Sequence, residues 1–116
     1  MADFTIKQGD TRPGMTAQLK DAGEVIDLTA ATSVTLKMAP DAGGSLIVNS
    51  PCVFVDRPVG KVMYEWVAGD TDDVGLFDIE FEIIWSDGGI ETVPNDDVEG
   101  NDGPYYVVEV KADLDP

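Results

Sequence analysis

The chain has 116 residues, 43% of them apolar, and sets 23 Asp and Glu against 7 Lys and Arg, a net charge of −16 with no histidine. That length suits one domain, residues 1–116, with its own core, and the apolar share argues against wholesale disorder. The charge argues against nucleic acid and anionic lipid as partners, and the missing histidine removes the commonest general base and zinc ligand.

In chain order, the opening "MADFTIKQGD" has neither a basic nor an apolar leader region, so no signal peptide is expected. No apolar run approaches the length of a bilayer span, and no membrane partner is expected. The dominant hydrophobic period is two, which is the period of strands with one buried face. Strands are predicted over "FTIK" (4–7), "MTAQLKD" (15–21) and "TSVTLKM" (32–38), the last with Val34, Leu36 and Met38 inward. "SLIVN" (45–49), "CVFVD" (52–56) and "KVMYEW" (61–66) follow.

The longest run, "LFDIEFEIIW" (76–85), puts Phe77, Ile79, Phe81, Ile83 and Trp85 on one face. Asp78, Glu80 and Glu82 fall on the other. "IETV" (90–93) and "YYVVEV" (105–110) complete the set. Turn signals such as "QGD", "DAGG", "GDTDDVG" and "GNDGP" punctuate these runs, and "WSDGGI" reads as a hairpin with a tight primed turn. About seven to nine short strands so spaced predict an all-β, antiparallel β-sandwich.

Cys52 is the single cysteine, so no intrachain disulfide forms, and its apolar neighbours predict a small buried hydrophobe. "GDTDDVG" (69–75) has the acidity of a calcium loop, but counting from Asp70 puts Val74 at position five and Phe81 at position twelve. An Asx-type turn, with Asp70 or Asp72 capping backbone amides, fits better. The loop 94–104, before the last strand, carries Asp96, Asp97, Glu99 and Asp102. These are candidate ligands for a hard cation, although their spacing equally describes a solvated loop, and no metal or cofactor is expected.

Glu80 and Glu82 lie about 6–7 Å apart along one strand face, a spacing compatible with glycoside hydrolysis, but a solvated outer face is expected and no enzymatic activity. Trp66 and Trp85 fall on the apolar side and are expected in the core rather than as a sugar platform. Ile84, Tyr105 and Val107 are apolar on faces that should meet solvent unless a partner covers them.

The phrases "FTIKQGDTRP", "DLTAATSVTLKM", "GKVMYEWVAGDTDDVGLFDIEFEI" and "GGIETVPND" together resemble the N-terminal domain of the phage baseplate upper protein family. The resemblance runs from about Phe4 to Asp96 and is strongest from Gly60 to Phe81. It implies an immunoglobulin-like sandwich of tail and receptor-binding assemblies, made in the host cytoplasm and built into the virion. Its partners would be other virion proteins or copies of itself, reached from tail or baseplate.

A head decoration protein on the same fold is the first alternative, and a calcium-assisted carbohydrate- or cell-surface-binding module the second. Expected contact residues are Gln8, Asp10, Arg12, Asp72, Asp73, Ile84 and Tyr105. Arg12 and Arg57, the only arginines, are expected to satisfy local carboxylates or to anchor an acidic partner patch.

Overall fold

The alternating runs do form strands, in a computed structural model that describes residues 3–21, 23–41, 43–93 and 106–112. In chain order these are β1 (Phe4–Lys7), β2 (Met15–Gln18), β3 (Lys20–Asp21), β4 (Glu24–Val25), β5 (Ala31–Pro40) and β6 (Val48–Pro51). There follow β7 (Val53–Asp56), a 3-10 turn at Arg57–Val59, β8 (Lys61–Tyr64), β9 (Gly75–Trp85), β10 (Ile90–Val93) and β11 (Tyr106–Lys111).

Strand β9 is the spine. From Phe77 to Trp85 it pairs antiparallel with β5, while its other edge is shared between β11 and β10. With β6 outside β5 and β1 outside β11, these make a six-stranded sheet. A smaller sheet, β2-β8-β7, faces it, and β3 and β4 form a two-stranded ribbon beside it. The result is an all-β sandwich, as the alternation predicts.

The buried residues follow the period. Val34, Leu36 and Met38 of β5, Phe77, Ile79, Phe81 and Ile83 of β9, and Val108 and Val110 of β11 meet Met15, Val62 and Tyr64 of the small sheet. Burying each large apolar side chain contributes about 1.5–3 kcal/mol, so the inward face of β9 alone is a major source of stability.

Several details depart from the expectation. The sandwich is not wholly antiparallel, because β1 runs parallel to β11 at the sheet edge. A chain that crosses to the small sheet between them can close the edge in either sense. The segment "SLIVN" becomes strand only from Val48, and Leu46 and Ile47 stay in the loop, exposed. The run 15–21 breaks at Leu19, whose N–H turns to the carbonyl of Gly60 at 2.8 Å. The hairpin at "WSDGGI" is present, but its turn is not a two-residue one: Trp85 N–H reaches the carbonyl of Gly89 at 2.8 Å.

Candidate functional site

The turns "QGD" and "GDTDDVG" meet at one end of the sandwich and clasp each other. Gln8 donates its side-chain amide to the carbonyl of Asp72 at 2.7 Å. Gly9 N–H donates to the carbonyl of Thr71 at 3.0 Å, and the Thr71 hydroxyl returns a bond to the carbonyl of Asp10 at 2.8 Å. Thr71 is 1% exposed, the one fully buried polar side chain among the described residues. Both loops cross from one sheet to the other, so the clasp ties the two layers together where they would otherwise fray.

Within the same turn Asp70 points inward. Its Oδ2 accepts from Val67 N–H at 3.0 Å and from the Tyr64 hydroxyl at 2.5 Å. Burial first, and this carboxylate second, push the Tyr64 hydroxyl above its ordinary range. The acidic turn therefore is a backbone cap, although the cap reaches back to Val67 instead of forward. Among the described residues no three metal-ligating side chains converge.

Of the contact residues expected from sequence, Gln8, Asp10 and Asp72 are brought together here, with Asp73 exposed beside them. Arg12 is exposed and has no carboxylate partner among the described residues. It lines a wide groove with Met63, Glu65 and Trp66. Ile84 lies at the far end of β9, half-buried on the outer face and paired with Ile90 and Ser33, so it belongs to a different surface. Val107 is half-buried on that outer face, opposite Asp78. Tyr105, Asp96, Asp97, Glu99 and Asp102 lie outside the described residues.

The arginine expectation is corrected at Arg57. Its guanidinium binds backbone carbonyls, Ala31 at 2.8 Å and Leu28 at 3.4 Å, and sits 3.7 Å over the ring of Phe54. The Leu28 carbonyl belongs to the loop before β5 and the Ala31 carbonyl to the first residue of β5, and a planar fork above an aromatic ring supplies both with donors. A carboxylate partner is not what holds it.

The two tryptophans separate. Trp66 is 4% exposed, stacked at 5.9 Å on Phe4 and edge-on at 5.0 Å to Tyr64, and its Nε1 has no partner among the described groups. A ring so enclosed offers no face to a sugar. Trp85 is half-buried and donates to Glu91 at 3.3 Å. Cys52 is half-buried, and burial pushes its thiol up to about 12, so it stays protonated at neutral pH.

On the outer face of the large sheet Lys37 bonds Glu82 at 3.0 Å, which ties up one member of the Glu80–Glu82 pair. Nearer the clasp the same face changes character, with Leu46 and Leu76 exposed around Asp78. Leu76 was legible as a break in the acidic side of the alternation; Leu46 was not, because it reads as strand. The chain matches no family model, no curated protein and no solved structure in these comparisons.

Proposed function

We propose that the chain is a non-enzymatic structural protein of a tailed-phage virion, an adaptor that docks on the tail or baseplate through protein–protein contacts. The observation that carries this reading is the clasp between the 8–10 and 69–73 turns. It gives one end of a rigid sandwich a fixed loop surface, which is what a repeated docking contact requires. The clasp is made from the same phrases, "TIKQGD" and "GDTDDVG", that carry the resemblance to the baseplate upper protein family. The immunoglobulin-like kinship of the sandwich belongs to the same proposal.

The test is quantitative mass spectrometry of purified particles of the phage that encodes the chain. A small multiple of three or six copies per particle is the expected result for a tail or baseplate adaptor. Copy numbers in the hundreds assign it to the head as a decoration protein. Absence from particles refutes the virion reading and favours a free binding module.

A further inference from the structure

We propose that the outer face of the large sheet, at the Gly75 end of β9, docks a partner protein through a basic, aliphatic-rich surface. This deepens the adaptor role proposed above and rests on it.

The face is built from three strands and a loop. Asp78 of β9 stands opposite Ala39 of β5 on one side and Val107 of β11 on the other, with Leu76 next along its own strand. The loop after β5 folds back so that Leu46 joins Lys37, Ala39, Pro40, Asp41, Asp78 and Glu80 around a cleft of about 220 Å³. Leu46 and Leu76 are 48% and 44% exposed. An outward sheet face in solvent has no need of aliphatic groups on four sides of a carboxylate.

The charges of this face divide unevenly. Lys37 faces Glu80 and bonds Glu82, so one lysine stands against two glutamates there. Lys7 and Lys111 stand opposite each other at the β1–β11 edge, and neither bonds a carboxylate among the described residues. Among the described residues neither Asp78 nor Asp41 is ion-paired, and Lys37, which lines the same cleft, is bonded to Glu82. Burial first, and Asp41 second, hold the Asp78 carboxyl above its usual range.

Electrostatics selects the occupant. A second copy brings the same carboxylates on a chain of net charge −16. The chain's own segment 94–104 carries Asp96, Asp97, Glu99 and Asp102 and no Lys or Arg. A partner's arginine or lysine satisfies both halves of the site: its alkyl stem lies on Leu46, Ala39 and Leu76, and its cation reaches Asp78 and Asp41.

The probe is a short peptide alternating arginine and leucine, titrated into isotope-labelled full chain by NMR, with its glutamate-for-arginine counterpart as control. Shifts confined to Ala39, Asp41, Leu46, Leu76, Asp78 and Val107 are expected. Asp78→Asn and Leu76→Ser, each checked for unchanged melting, should each weaken binding by about five- to tenfold. Salt at about 0.5 M should weaken it by a similar factor. Shifts spread evenly over all acidic surfaces, equal binding of the glutamate peptide, or a salt-resistant dimer that perturbs these same residues would each overturn the proposal. On particles, hydroxyl-radical labelling should find Leu46 and Leu76 protected, and open labelling of both on the bound chain would also overturn it. The peptide titration decides the face whether or not the chain is found on particles.

Discussion

The hydroxyl of Thr71 donates to the carbonyl of Asp10 at 2.8 Å, across 61 residues of chain, and does so with Thr71 almost fully buried. Replacing Thr71 by Val keeps the shape and removes the donor, leaving the Asp10 carbonyl short of its partner. The expected loss is about 1–2 kcal/mol, or about 4–8 °C in Tm. Amide exchange should quicken at Gly9, whose N–H bonds the carbonyl of Thr71. An unchanged Tm with unchanged Gly9 protection would show that the two turns do not hold each other.

Gly60 separates conformational strain from lack of space. It has φ 71° after the 3-10 turn, and a Cβ there would lie 2.6 Å from the carbonyl oxygen of Ile26 and 2.9 Å from that of Leu19. Neither backbone atom can yield without breaking the Leu19–Gly60 and Ile26–Leu19 hydrogen bonds. Gly88 has a similar φ of 90° but open space around its missing Cβ. Gly60→Ala should therefore cost about 2–4 kcal/mol by urea denaturation, and Gly88→Ala about 1 kcal/mol. Equal losses would mean that φ alone governs both positions.

What the sequence revealed was whatever period two encodes directly. Phe77, Ile79, Phe81 and Ile83 alternate with acids, and all four are core; the same holds for Val34, Leu36 and Met38. Partners distant in sequence were not legible. The parallel match of β1 with β11 has no local turn to announce it, and a threonine inside an acidic turn reads as solvated although Thr71 is buried. Arg57 misled for the same reason: in so acidic a chain a carboxylate was the nearest guess, whereas the tertiary fold presents carbonyls and an aromatic ring. Gln8, Asp10 and Asp72 were each legible as turn residues, but their meeting was not.

Arg57→Lys tests that correction. The lysine keeps the charge but loses the fork over Phe54 and the simultaneous reach to Ala31 and Leu28. A loss of about 1–2 kcal/mol is expected, with the salt dependence of stability unchanged. No loss on this exchange would return Arg57 to the role of a simple surface charge.

Alkali should destabilise the fold through Tyr64. Its folded-state proton affinity is raised by burial and by the Asp70 acceptor, so its contribution is complete below the ordinary tyrosine value of about 10 and is lost as pH rises through the folded-state value. Tyr106, raised by burial and then by Asp3, and Cys52, raised to about 12, act with the same sign. Urea midpoints followed from about pH 7 upward should begin to fall beyond about pH 9 through Cys52 and fall further beyond about pH 10 through the tyrosines, less steeply in Tyr64→Phe. Parallel curves for the two proteins would show that Tyr64 is not a source of the alkaline loss.

Salt should stabilise the folded chain, contrary to the rule for proteins held by surface ion pairs. Among the described residues there is one ion pair, Lys37–Glu82, partly exposed, so screening has little attraction to remove. Against it stand 23 carboxylates and 7 basic groups, whose mutual repulsion acts on the compact state more than on the unfolded chain. At about 0.01 M salt the Debye length is about 30 Å, longer than the 27 Å and 23 Å short dimensions of the molecule, and at about 1 M it is about 3 Å. Tm should therefore climb steadily over that range, most steeply at its low end, and equally for sodium and potassium. A flat or falling curve would mean that the carboxylates are already neutralised within the fold, and would also remove the charge argument for a basic partner at Asp78.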